Sequence, residues 1–229
     1  MHRWVRLKLD MATRISVFGR HNPTGNPGID AHIGVLDRLI RDVEAFETDA
    51  TRSRATRTAT ISARDQLRAE IWDTLLHHIT GIAAAASEKV TGLAGRFTLP
   101  PFRIGEYEFS LAVRRIAHEA ILEHETLWPH GLVEGAAVEM LTRLGEWQAL
   151  DRKAVGCRLR HVAARAGVQA RTDEIMREIT LLGALYRHEF RADPVRLAAW
   201  RSARRVAWPE PKRAGLNRKA VEQGRGAGQ

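Results

Sequence analysis

The segment His118–Glu125 holds the densest group of side chains that could bind a metal ion. A zinc site of the metalloprotease kind needs two histidines four residues apart, so that both face the same side of a helix. The two histidines of this segment, His118 and His124, are six residues apart and would point about 120° away from each other around a helix. Their spacing therefore does not support a zinc motif.

Carboxylates at helical spacing are a weaker indication of a metal site. Glu119 and Glu123 share a helical face, as do Asp73 and His77. Di-iron bundles place Glu-x-x-His on paired helices, and no glutamate of this chain has a histidine three residues later. Ordinary ion pairs explain these residues better, and we predict no metal ligand and no cofactor. A metal-binding helical bundle that uses these four residues and His118 is kept as an alternative.

The single cysteine, Cys157, is the other candidate for chemistry. Arg158, Arg160 and His161 follow it closely, and nearby positive charge favours the reactive thiolate form of a cysteine. A small helical residue that happens to be cysteine is the simpler interpretation. The chain also lacks glycine-rich phosphate-binding motifs and the G-x-S-x-G nucleophile motif. We therefore predict that the protein is not an enzyme.

Segment 152–171 contains six cations and no acid, which makes it a candidate binding surface. Such a stripe can contact phosphates, or it can pair with the acidic residues of segment 30–49 in the same chain. The candidate phosphate-contacting residues are Arg152, Lys153, Arg158, Arg160, Arg165 and Arg171. A second basic run consists of Arg52, Arg54, Arg57, Arg64 and Arg68.

The net charge of +9 is concentrated at the two ends of the chain. Residues 1–20 carry a net +4 and residues 201–229 a net +6, whereas the 180 residues between them sum to −1. Basic tails around a nearly neutral core fit nonspecific contact with nucleic acid. No helix-turn-helix pattern with a base-reading helix accompanies them.

The elements that must position these residues are helices. Apolar residues recur at steps of three and four from residue 29 to residue 190, and no stretch alternates with a period of two. One such series is Ile29, Ile33, Leu36, Ile40 and Val43. We predict an all-α protein, an up-and-down bundle of about five long amphipathic helices plus a short C-terminal helix, with disordered basic tails.

Clusters of helix-breaking residues set the predicted domain boundaries. They give a basic N-terminal arm over residues 1–26, a bundle over 27–207 and a disordered basic tail over 208–229. Asn26 and Asp193, each followed by proline, are predicted N-caps. The segments 29–94 and 131–190 contain no proline, and we expect bends at Thr51–Thr60 and Ala166–Val168. Met1 and Met11 are both possible starts.

The tryptophans, the single cysteine and the lengths of the apolar runs indicate what is buried and where the protein is found. Trp72, Trp147 and Trp200 fall on helical patterns and are expected in the core, whereas Trp4 and Trp208 fall in the basic tails. One cysteine excludes an intramolecular disulfide and fits a reducing, cytoplasmic location. No run of 18 apolar residues predicts a membrane span.

These observations favour a non-enzymatic helical scaffold that binds other proteins or itself. The alternative is a nucleic-acid-associated protein that uses the basic tails and the 152–171 stripe.

Overall fold

The computed structural model of the protein describes residues 2–206, which form helices, turns and loops without a β-strand. The predicted all-α class is confirmed. Two helices are much longer than the others, at 44 and 54 residues. The elements are α1 Arg3–His21, α2 Pro27–Glu70, a π-helical segment Ile71–Leu76, α3 His77–Ala86, α4 Leu93–Arg96, α5 Glu106–Leu122, α6 His124–Leu127, a 3-10 turn Trp128–His130, α7 Ala136–Glu189 and α8 Pro194–Ala203.

The described residues divide into two compact units, each with its own apolar core. Residues 2–47 and 165–206 form one, which we call the terminal unit, and residues 48–164 form the central unit. Both α2 and α7 contribute residues to both units. This division differs from the single bundle over 27–207 that the breaker clusters predicted. The predicted tail over 208–229, with Trp208, lies outside the described residues.

An aromatic cluster forms the centre of the terminal unit. Four aromatic residues are buried here: Phe18 of α1, Tyr186 near the end of α7, Phe190 directly after α7, and Trp200 of α8. The ring of Tyr186 stacks on Phe190 at 5.3 Å and lies 4.6 Å from Trp200. Burial, together with the nearby charge of Asp30, raises the pKa of Tyr186 to about 12. The cluster therefore joins three helices through apolar contact.

Helix α1 occupies the place where the sequence predicted a disordered basic arm, and that prediction is wrong for residues 3–21. Its cations lie on the outer face, while apolar residues at steps of three and four face the core. The buried series includes Val5, Leu9, Ala12 and Ile15. Since the charges stay in water, a net positive charge does not prevent this segment from folding.

A carboxylate on α2 fixes the end of α1. Ser16 donates a hydrogen bond to Asp37, and the Arg20 guanidinium lies 2.5 Å from the other carboxylate oxygen. Burial alone would raise the pKa of Asp37, but these hydrogen bonds and the positive charge of Arg20 outweigh it and hold the pKa below its usual value. The Asp37 charge is thus part of the packing between the two helices.

The core of the central unit lies among the π-helical segment, α3, α5 and the first turns of α7. Phe109 of α5 is fully buried and meets the ring of Trp147 on α7 at 5.6 Å. The Arg68 guanidinium of α2 lies 4.6 Å above the Phe109 ring. Trp147 and Trp200 are buried as predicted, and Trp72 is half-buried, with its indole N–H donated to the Pro100 carbonyl.

The bends expected at Thr51–Thr60 and Ala166–Val168 do not occur, because both segments are continuous α-helix. Thr58 and Thr60 donate their hydroxyl groups to carbonyls one turn earlier, and the helix continues past both residues. Gly167 serves close helix packing, since a Cβ there would lie 2.9 Å from three atoms of the Phe46 ring. Gly167 is therefore a packing position, whereas Thr60 is the one buried residue of segment 51–60.

The predicted N-caps are confirmed. Asp193 accepts hydrogen bonds from the backbone N–H groups of Val195 and Arg196 at the start of α8. Asn26 accepts one from Gly28 at the start of α2. Each cap satisfies backbone donors that have no partner within the first helical turn.

A matched pair of glycine substitutions tests the packing role of Gly167. Gly34→Ala, in α2 of the same unit, adds a Cβ in open space and should stabilise the protein by about 0.5–1 kcal/mol through helix propensity. Gly167→Ala should instead destabilise it by about 1 kcal/mol or more, because the Cβ overpacks against Phe46. Urea unfolding followed by circular dichroism measures both. Equal stabilisation by the two substitutions would contradict the packing role.

Candidate interaction site

Helices α2 and α7 pair in antiparallel fashion within the central unit. Arg64 of α2 bonds to Asp151 of α7 at 2.8 Å, and His161 Nδ1 lies 3.0 Å from the carbonyl oxygen of Ala50, which accepts its hydrogen bond. Higher numbers on one helix therefore lie opposite lower numbers on the other. The name paired section is used below for residues 50–63 of α2 and 152–164 of α7, which begin next to the Arg64–Asp151 contact and include the His161–Ala50 contact.

The contact between the two helices in the paired section is made of small side chains. Every residue of the paired section that is buried has a small side chain. They are Ala50, Thr60, Ala154, Cys157 and Ala164. Small side chains let two helix backbones approach closely, so this part of the unit depends on close contact more than on a large apolar core.

The paired section contains seven cations and no carboxylate in its sequence. Arg52 lies 3.8 Å from Asp49, just outside the section, and Arg160 donates a hydrogen bond to the sulfur of Cys157. The remaining cations have no carboxylate within ion-pair distance among the described residues. They are Arg54, Arg57, Arg152, Lys153 and Arg158. Pairing thus brings together two basic runs that are about 100 residues apart in the sequence.

The six cations predicted to contact phosphate separate between the two units. Arg152, Lys153, Arg158 and Arg160 belong to the paired section, whereas Arg165 and Arg171 belong to the terminal unit.

In the terminal unit, Arg165 pairs with Glu47 at 3.4 Å, and Arg171 lies 3.5 Å from Asp42 and 2.6 Å from Glu174. These two arginines therefore pair with the acidic part of α2, which was the other interpretation of the stripe. Phosphate contact by the other four stays a prediction.

An exposed apolar stripe runs along α7 in the paired section. Val155, Leu159 and Val162 are 52%, 65% and 58% exposed. Spacings of four and three residues place them on one side of the helix. Gln148, seven residues before Val155, faces the same way and donates a hydrogen bond to Ser110 of α5 at 2.8 Å. The stripe is therefore the continuation of the side of α7 that α5 covers.

The corresponding side of α2 carries arginines. Arg64 reaches Glu106, the first residue of α5, at 2.7 Å, and Arg68 lies over the Phe109 ring. Arg57 precedes Arg64 by seven residues and Arg54 precedes Arg68 by fourteen, so both lie on this same side. Beyond the first turn of α5, this side of the helix pair therefore carries exposed residues of both α2 and α7.

This surface is called the basic groove from here on. Its α2 edge carries Arg54 and Arg57, and its α7 edge carries Val155, Leu159 and Val162. Arg158 is exposed and lies seven residues after Asp151, which faces Arg64 across the helix pair, so Arg158 lies on the side of α7 that is turned toward α2. The groove combines three exposed aliphatic side chains with three arginines.

Three of the five residues considered for a metal site, Glu119, Glu123 and His77, have structural partners. The Arg96 guanidinium bonds to both Glu119 and Glu123 at 2.8 Å, and these hydrogen bonds raise the pKa of Arg96. The ring of His77 packs edge-on against Trp72 at 4.3 Å. Within residues 2–206, no group of three or more histidine, cysteine, aspartate or glutamate side chains is placed to hold a metal ion.

Comparison with known proteins adds no assignment: no family model, curated protein or solved structure matches the chain. A membrane-spanning helix, long and apolar enough to cross a bilayer, does not occur among residues 2–206.

The buried position of Cys157 predicts that its thiol reacts slowly with a labelling reagent. Its side chain is fully buried, so a disulfide-exchange reagent such as DTNB should label it only after unfolding in denaturant. A thiol introduced by Leu159→Cys, at a position that is 65% exposed, supplies the matched control and should react at once. Native Cys157 reacting as fast as that control would contradict the burial and restore its candidacy as a nucleophile.

Proposed function

We propose that the protein is a non-enzymatic helical scaffold whose paired section binds other proteins. The observation that carries this proposal is the exposed stripe of Val155, Leu159 and Val162 on a helix side that is covered by α5 elsewhere in the same unit. Scattered exposed apolar residues are ordinary on a protein surface. An aligned set that continues a packed face favours an interaction site.

The polar groups of the central unit support a structural role over a catalytic one. Arg64 bonds to Glu106, Asp151 and Asp65, and Arg96 bonds to two glutamates. Catalytic acids and bases are typically found as perturbed groups that converge on a pocket. Here the charged groups hold helices together, which is the behaviour expected of a scaffold.

A second candidate function, nonspecific binding of nucleic acid, is favoured by the seven cations of the paired section. Phosphate backbones attract such a surface without needing sequence recognition. They offer little apolar area, however, and would leave Leu159 and its neighbours without a partner. The predicted contact of the N-terminal basic tail with nucleic acid is less favoured, because two of its arginines have partners within the protein. Arg20 pairs with Asp37, and Arg14 donates a hydrogen bond to the Arg205 carbonyl.

Site-specific photo-crosslinking in cells of the source organism tests this proposal. A photoreactive phenylalanine analogue in place of Leu159 should give discrete protein adducts that survive nuclease treatment. The same analogue in place of Leu181, a 42% exposed residue of α7 in the terminal unit, provides the matched control and should not give these adducts.

Two results would contradict the proposal. Identical adducts from both positions would show that the protein contacts neighbours without using the paired section. Adducts from Leu159 that disappear on nuclease treatment would instead support the nucleic-acid function.

A further inference from the structure

We infer that the basic groove binds an acidic amphipathic helix supplied by a partner protein. This inference rests on the proposed function and adds the chemistry of the partner. It is based on two features: the groove continues the surface against which α5 packs in the same unit, and the groove is positively charged.

Helix α5 shows what this surface binds where it is occupied. Its first residue, Glu106, pairs with Arg64 of α2, and Ser110 meets Gln148 of α7. Its apolar side buries Phe109 against Trp147. Helix α5 also runs antiparallel to α7, because residue 106 faces residue 151 through Arg64 and residue 110 faces residue 148. The occupied part of the surface therefore holds a helix by one acidic contact and one apolar side.

The open part of the surface repeats those two features. Val155 and Val162 follow Gln148 at intervals of seven residues, and Arg57 precedes Arg64 by seven. A helix lying along the groove would meet aliphatic side chains from α7 and guanidinium groups from α2. To bury Leu159 it needs its own apolar residues at steps of three and four.

Charge selects an acidic partner. In the covered region Arg64 is balanced by Glu106 and Asp151, whereas the paired section has no carboxylate of its own to balance Arg54, Arg57 and Arg158. Carboxylates beside the apolar side of a bound helix would supply that balance and would steer the encounter. A partner with cations in those positions would be repelled.

The same charge argues against a second copy of this chain as the occupant. Two copies joined groove to groove would bring three arginines from each side together with no carboxylate between them. Like charges placed directly against each other destabilise an interface. A groove-to-groove dimer is therefore not the arrangement that this surface favours.

A designed helical peptide tests the inference with the full-length protein. The probe has about 20 residues, long enough to form helix on the surface, with leucine at steps of three and four and glutamate on both flanks. One control peptide has lysine in place of every glutamate, and another has the same composition with the leucines distributed around the helix. Fluorescence anisotropy at two salt concentrations measures the affinity of each peptide.

The acidic amphipathic peptide should bind, and both control peptides should bind at least about tenfold more weakly. Leu159→Glu and Arg57→Glu should each weaken binding about tenfold, and Arg57→Glu should also reduce the salt dependence. The matched controls, Leu181→Glu and Arg177→Glu, change exposed residues of the terminal unit and should leave the affinity unchanged.

Several outcomes would overturn the inference. Equal affinity for the acidic and lysine peptides, or no effect of Leu159→Glu, would remove the acidic helix as the ligand. Binding of a DNA duplex that Arg57→Glu abolishes and Leu159→Glu spares would assign the groove to nucleic acid. Binding of phosphatidylglycerol vesicles that both substitutions abolish, without peptide binding, would assign it to a membrane surface.

The inference and the proposed function can fail separately. Nuclease-resistant protein adducts at Leu159 with no binding of the acidic peptide would retain the interaction function and reject the partner chemistry. Peptide binding to the groove without any cellular adduct at Leu159 would retain the chemistry of the groove and reject its use as an interaction site in the cell.

Discussion

The antiparallel contact of α2 with α7 is the interaction on which the central unit's candidate surface depends. It rests on small buried side chains such as Ala50, Ala154 and Cys157, and on polar contacts at Arg64 and His161. This contact places two basic runs that are distant in sequence side by side on neighbouring helices. Beyond the first turn of α5, exposed residues of both helices lie on one side of the pair and form the basic groove.

Periodicity predicts the helices well because each amphipathic stretch must bury its apolar side. It also locates the caps at Asn26 and Asp193, since capping depends only on neighbouring residues. Periodicity predicts less well how a helix is packed. Gly167 and the Ser/Thr-rich segment 51–60 resemble weak points in a single helix, yet in the structure they belong to continuous helices. The concentration of positive charge in residues 1–20 indicates a disordered arm, yet the apolar residues of α1 have helical spacing and are buried.

The candidate site could be only half predicted from sequence. The cations of segment 152–171 are visible as a run without acids, but sequence does not show that Arg165 and Arg171 meet Glu47 and Asp42. Nor does it show that Leu159 is exposed, since an apolar residue at helical spacing is normally assigned to the core. Exposure here depends on where α5 begins relative to α7, which is a tertiary property.

Residue-resolved hydrogen exchange of the native protein tests the central claim, that residues 51–60 and 152–164 are paired, continuous helices. The backbone amides of both stretches should be strongly protected, whereas the loop over residues 98–104, which is not helical and serves as an internal reference, should exchange rapidly. Amides of 51–60 that exchange as fast as that loop would contradict the pairing, and with it the existence of the basic groove.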